Sequence, residues 1–209
     1  MIDDAGHARE NRSRAAGRAL PGLFPAPLDR TRGLRLDAVV RLAEDLRDCW
    51  QTNRQLFLCG NGGSAGNATH LANDFLYPLS KAKGSGIRVH ALTENPAVIT
   101  CLGNDEGYDN IFSFPLSVLA RKGDILLAFS GSGNSPNILR ALEEAARIGM
   151  RSYAVVGFSG GKAKAMADVP IHFAIDDMQI AEDTQTIIGH MIVQWLYAQR
   201  HQFVGSARS

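Results

Sequence analysis

Cysteine is scarce in this chain. Cys49, Cys59 and Cys101 are the three among 209 residues, and none stands at the paired spacing of a zinc motif. That excludes a disulfide-stapled scaffold and fits reduced thiols in a cytoplasmic protein. An excess of one charge is also missing. The formal net charge is +1, so no broad basic field points to nucleic acid and no acidic tail to a cationic partner. Long apolar runs are absent too. The run from Ile125 to Phe129 falls far short of the roughly 20 residues that cross a bilayer, so no membrane partner is expected. The N-terminal stretch has no apolar signal-peptide core, which argues against secretion. No internal repeat or low-complexity tract interrupts the sequence. What remains is the composition of a soluble globular protein, 45% hydrophobic and 21% charged.

Three regions follow from composition and periodicity. Residues 1–33 are rich in Arg, Ala, Gly and Pro, and Pro21, Pro25 and Pro27 break any long helix. They read as an N-terminal arm, either partly helical against a partner subunit or disordered. Residues 34–200 form the expected domain, and 201–209 a tail. Apolar spacing predicts helices over 34–53, 64–76, 97–102, 111–120, 134–148, 162–166 and 182–200. Short apolar runs predict strands over 56–59, 87–92, 124–129, 152–157 and 169–174. Strands alternating with helices imply right-handed βαβ units and a parallel sheet covered on both faces. Ligands of such sheets bind beyond the carboxyl ends of the strands.

Three predicted strands end in unusual loops. The first is Gly60-Asn61-Gly62-Gly63-Ser64-Ala65, the second Ser130-Gly131-Ser132-Gly133-Asn134-Ser135, the third Gly157-Phe158-Ser159-Gly160-Gly161-Lys162. Glycine lets backbone N–H groups approach an anion closely. A helix beginning after the loop adds its positive end, and serine hydroxyls donate further bonds. Together these neutralise a phosphate without a basic side chain. Glycine and serine also turn chains and cap helices, and one such loop alone would mean no more than that. The second loop exceeds that need, because one oxygen suffices for a cap. The third reads as structural. Gly60-x-Gly62-x-x-Ala65 also fits a dinucleotide fingerprint with Glu94 as its acid, but that reading leaves the Ser130 to Ser135 loop unexplained.

A second constellation lies on helices. His70 and Asp74 stand four apart and share a helix face. Glu182 and His190 stand eight apart, about two turns, and share another. Two histidines and two carboxylates suit a divalent metal such as zinc. They suit paired acid and base equally well. Taken singly, each reads as a core or solvated side chain.

These blocks resemble the SIS (sugar isomerase) domain, and within it the sedoheptulose-7-phosphate isomerases, or phosphoheptose isomerases. The resemblance runs over about 34–197. It rests on Cys59-Gly60-Asn61-Gly62-Gly63-Ser64-Ala65 followed by His70, on Gly103-Asn104-Asp105 with Gly107, and on Gly123-Asp124 leading to Ser130 through Pro136. Gly160-Gly161-Lys162 and Ile188-Gly189-His190 complete it. It implies a five-stranded parallel sheet flanked by helices and a homotetramer with active sites between subunits. It implies conversion of sedoheptulose 7-phosphate to D-glycero-D-manno-heptose 7-phosphate. By position, Asn61, Gly62, Ser64, Ser130, Ser132 and Ser135 would hold phosphate, and Asp105 sugar hydroxyls. His190 and Asp74 would be the acid/base pair, and His70, Asp74, Glu182 and His190 the ligands of one zinc ion. The family usually has Glu where Asp74 stands, Gln-Glu where Glu182-Asp183 stands, Thr where Gly131 stands, and an arginine near Pro78.

Two other readings compete. Some SIS relatives are non-catalytic regulators or binding proteins, including one that binds the replication initiator DnaA. The pair His70 and His190 favours an enzyme over such a scaffold. An NAD-dependent oxidoreductase is the other rival.

Overall fold

The computed structural model describes residues 36–80 and 86–200. The expected arm over 1–33 and the tail over 201–209 lie outside the described residues. Helix α1 (Asp37–Gln51) opens the described chain. It is followed by β1 (Gln55–Cys59), α2 (Gly63–Ser80), β2 (Arg88–Ala91) and α3 (Pro96–Asp105). After a 3-10 turn at Tyr108–Asn110 come α4 (Ser113–Leu119), β3 (Ile125–Ser130), α5 (Pro136–Ile148) and β4 (Arg151–Val156). The last elements are α6 (Ala163–Met166), β5 (Val169–His172) and α7 (Met178–Gln199).

The five strands form one sheet in the order β2-β1-β3-β4-β5, and every pairing is parallel. The α/β class and the five-stranded sheet expected from the sequence are what the chain adopts. Alternate residues of a strand point to opposite faces, and the core divides accordingly. Leu56, Leu58, Leu127 and Val155 pack with α1, α2 and α7 on one face. Phe57, Cys59, Leu126 and Ala154 pack with α3, α4, α5 and α6 on the other. β3 is buried along its whole length, which explains its unbroken apolar sequence.

Strand order fixes where a ligand can sit. From β1 the chain moves outward to β2, then crosses back to β3 on the other side of β1. The β1–β3 boundary is therefore a topological switch point, where the flanking loops diverge and leave a crevice. The Gly60–Ala65 and Ser130–Ser135 loops are the ones that leave those two strands.

Several boundaries differ from expectation: α1 starts at Asp37 rather than 34, and α2 and α3 run on to Ser80 and Asp105. α7 begins at Met178, one turn earlier than Glu182, because the Asp177 carboxylate accepts the Ile180 N–H at 3.0 Å and caps the helix. β5 ends at His172 rather than at 174.

The amino ends of β1 and β3 are pinned by a buried carboxylate. Asp124 accepts the backbone N–H groups of Gln55 at 2.9 Å and Arg121 at 2.8 Å. It thereby ties the start of β1 to the turn before β3. Replacing it by alanine strands two backbone donors, so Asp124→Ala is expected to cost about 2–4 kcal/mol. The measurement is the urea midpoint at constant m value. An unchanged midpoint would remove Asp124 from the fold's supports.

Candidate functional site

α2 starts in the first glycine-rich loop and packs along α7, which returns across the same face of the sheet. The contact is close at Gly189, where any Cβ would collide with the Leu71 side chain. Gly189 and Leu71 are the chain neighbours of His190 and His70. Close approach of the backbones at this point brings those two rings together.

The result is a cluster of three donor atoms. His70 Nε2 and His190 Nε2 lie 2.8 Å apart, with the rings edge to face. Asp74 Oδ2 lies 3.5 Å from His70 Nε2 and 3.3 Å from His190 Nε2. Asp74 is reached from His70 by one helical turn, as the four-residue spacing predicts. Two imidazole nitrogens and a carboxylate oxygen are among the ligand types that zinc takes. Tetrahedral bonds of about 2.05 Å separate their donor atoms by roughly 3.3 Å, close to the distances here. The residues present therefore fit a divalent ion. Both histidines are accessible at the surface, with side chains 50% and 43% exposed, so the cluster is open to a further ligand.

Glu182 does not join this group. Its carboxylate accepts the Ser64 N–H at 3.1 Å, at the start of α2. That position complements the positive end of the helix. Asn67, one turn along α2, donates to the Glu182 backbone carbonyl at 2.9 Å and to Gln185 Oε1 at 3.0 Å. Thr186 donates to Asn67 Oδ1 at 2.9 Å. This polar seam fixes the register of α2 against α7. Glu182 belongs to the seam as the helices stand, and a role as fourth metal ligand requires it to leave the Ser64 amide.

The second feature is a small cavity at the β1–β3 crevice. It is lined by Asn61, Ser64, Ser130, Gly131, Ser132 and Ser135, with Phe129, Met178 and Glu182 closing it. Loops about seventy residues apart in sequence, on either side of β2, thus meet where the strand order directs them. Ser130 Oγ accepts the Gly133 N–H at 3.1 Å and Ser132 Oγ the Asn134 N–H at 3.3 Å. These bonds hold the second loop in a tight curl while leaving each hydroxyl hydrogen to donate. Ser135 occupies the cap position of α5 without making a side-chain capping bond, so its hydroxyl is free for a ligand. Gly62 supplies the turn into α2 with φ +56°, a left-handed conformation natural to glycine. Met178 takes up the space over Gly131 that a side chain there would need.

The third loop buttresses the second. Ala163 N–H donates to the Gly133 carbonyl at 2.9 Å, and Lys162 N–H to Asn134 Oδ1 at 3.1 Å. Its structural reading stands on these bonds. Asp105 lies at the exposed end of α3, where Cys101 and Asn104 donate to its carboxylate, and it does not line the cavity. Tyr108, three residues on, is what reaches the site: its hydroxyl donates to Asn61 Oδ1 at 3.1 Å. Sequence reasoning missed Tyr108, Asn67, Asn137 and Met178. Asn137 alone carried a local signal, because it sits two residues past Ser135 at the start of a helix.

The dinucleotide reading with Glu94 gains no support here: as the helices stand, the Ser64 amide at the first turn of α2 donates to the Glu182 carboxylate.

Comparison with known proteins agrees with this geometry. The family model of the SIS domain matches residues 26–157, more than half of the chain. A phosphoheptose isomerase of Geotalea daltonii is 36% identical over 162 residues, covering 78% of this chain and 82% of the relative. The solved structure of a phosphoheptose isomerase from Neisseria gonorrhoeae superposes with TM-score 0.74 at 28% identity, covering 93% of this chain and 96% of that one. One from Francisella tularensis gives 0.73 at 26%, covering 93% and 98%.

The donor cluster makes a binding prediction. Metal-free protein titrated with zinc should take up one ion per chain by calorimetry. His70→Ala should weaken that affinity by more than the roughly 10–100-fold that outer-shell partners are worth. Gly189→Val, which forces α2 and α7 apart without touching a donor, should also weaken it. Full-affinity zinc binding by His70→Ala would place the ion elsewhere.

Proposed function

The chain belongs to the phosphoheptose isomerase family of SIS-domain proteins, and we propose that it is a ketose–aldose isomerase whose substrate is sedoheptulose 7-phosphate and whose product is D-glycero-D-manno-heptose 7-phosphate. One observation supports a phosphosugar of about this length. Ser64, in the anion cavity, and His70, in the donor cluster, are joined by α2. Six residues of helix advance about 9 Å along the axis. Eight bonds separate C1 of an open-chain heptose 7-phosphate from phosphorus. At roughly 1.2 Å of advance per bond, as in an extended peptide, they span about 9–10 Å. A phosphate held by Asn61, Ser64, Ser130, Ser132 and Ser135 would place C1 and C2 beside His70, Asp74 and His190.

The reaction moves a proton between C1 and C2 through an enediol. His190 and Asp74 are the proposed acid/base pair. A base takes the carbon-bound proton, and an acid serves the oxygens in turn. Imidazole titrates near neutral pH and can do either. The phosphate, remote from the reacting carbons, contributes binding energy that orients them. Zinc held by His70, Asp74 and His190 would polarise the carbonyl when bound. Glu182 would complete the set by exchanging its Ser64 hydrogen bond for the metal.

We also propose that the enzyme works as a homotetramer. Leu76 and Tyr77 on α2 and Ile180 and Ile187 on α7 are large apolar side chains, each more than half exposed. They lie on the same two helices as the histidines. A second copy over this face would bury them and exclude water from the acid/base pair. A reducing cytoplasmic setting suits the three free cysteines, and no described helix is long and apolar enough to cross a membrane.

His190→Ala should lower turnover of sedoheptulose 7-phosphate by about 10²- to 10⁴-fold while phosphate binding persists. Near-normal turnover would take His190 out of the mechanism. Chelation should depress turnover and zinc restore it, and an equally active metal-free enzyme would leave the cluster as acid and base alone. A folded, zinc-loaded wild type that binds the sugar phosphate without converting it would favour the non-catalytic alternative. Light scattering should give the mass of four chains, and Ile187→Glu should shift it downward.

A further inference from the structure

Asn61 is held by two residues to which the proposed reaction assigns nothing. Asn137 is buried, 1% exposed, at the start of α5. It forms a reciprocal amide pair with Asn61: Asn137 Nδ2 donates to Asn61 Oδ1 at 2.8 Å, and Asn61 Nδ2 donates to Asn137 Oδ1 at 2.9 Å. The orientation of this pair follows from a group that cannot exchange roles. The Ile138 backbone N–H donates to the Asn137 side chain at 3.0 Å, so the atom facing it is the carbonyl oxygen. The other branch of Asn137 is then the NH₂, and the Asn61 atom opposite that branch is Oδ1. The Tyr108 hydroxyl donates to the same oxygen at 3.1 Å.

An amide oxygen has two lone pairs, and an amide nitrogen two hydrogens. Both lone pairs of Asn61 Oδ1 are taken, by Asn137 and Tyr108. One Nδ2 hydrogen is taken, by Asn137. What Asn61 can offer the cavity it lines is a single N–H. We infer that Asn137, with Tyr108, is a positioning residue that makes Asn61 a hydrogen-bond donor, and only a donor, to an oxygen of the substrate's phosphate. The inference rests on the phosphate reading of the cavity. A fully ionised phosphate, whose oxygens only accept, matches this single donor. The pair bridges the loop after β1 and the first turn of α5, so it ties the two walls of the crevice as well.

The test compares wild type with Asn137→Ala, Asn137→Asp and Tyr108→Phe. Calorimetry with inorganic phosphate gives Kd, steady-state kinetics with sedoheptulose 7-phosphate separate KM from kcat, and thermal melting reports stability. Loss of one hydrogen bond to a charged group is expected to raise Kd and KM about tenfold to a hundredfold in Asn137→Ala, with kcat within about threefold of wild type. Asn137→Asp should lose more, because its carboxylate repels both Asn61 Oδ1 and the phosphate. Tyr108→Phe, at an exposed hydroxyl, should raise both constants about two- to fivefold with an unchanged Tm. Wild-type phosphate affinity in a folded Asn137 variant, or a change confined to Tm, overturns the inference. If Asn137→Ala does not fold, Asn137→Asp and Tyr108→Phe decide it by the same readout. A wild type that binds inorganic phosphate without isomerising the sugar removes the proposed reaction and leaves the Kd comparison decisive. A wild type that binds no phosphate removes both.

Discussion

The close packing of α2 on α7 at Gly189 is the constraint from which the chemistry of this molecule follows. The Leu71 side chain occupies the space a Cβ would fill. Because Leu71 and Gly189 each precede or follow a histidine by one residue, the closeness of two backbones becomes the closeness of two rings. The seam of Asn67, Glu182, Gln185 and Thr186 fixes how the helices slide along one another. Packing sets the separation and hydrogen bonding the register. Each alone would leave the donors of His70, Asp74 and His190 unaligned.

The serine-lined cavity depends on a different constraint, the order of strands. β1 and β3 are neighbours in space with β2 intervening in sequence, so their loops flank the crevice that such a reversal opens. The cavity is stiffened from three sides. The third glycine-rich loop supports the second through Ala163 and Lys162. Asn137 ties the first loop to the first turn of α5, just past the second. Glu182 closes the α2 end. Its carboxylate is also the one negative group in a cavity of hydroxyls and amides, which makes it the point where phosphate binding and metal binding would meet.

Much of this was legible in the sequence because it is encoded locally. Continuous apolar strands, helical spacing and glycine-rich strand ends gave the elements and their alternation. The serine-rich loop stood out because it carries more oxygens than capping consumes, and those serines do line one cavity. The His70–Asp74 pairing needed one helical turn to foresee. Asp105 shows the limit of this kind of reading. Its loop matches a family pattern, yet its carboxylate is occupied by Cys101 and Asn104 at the end of α3. Tyr108, which no spacing marked, reaches Asn61 because the 3-10 turn carries it there.

The sequence by itself determined the α/β class, the kinds of side chain available and which of them share a helix face. Those properties depend on contacts within a few residues, where backbone periodicity fixes geometry. Tertiary structure alone decided that His190 meets His70, that Glu182 turns to the Ser64 amide, and that Asn61 is held by Asn137 and Tyr108. Each of these depends on groups more than forty residues apart, and their distances are set by packing and strand order, which no local pattern records.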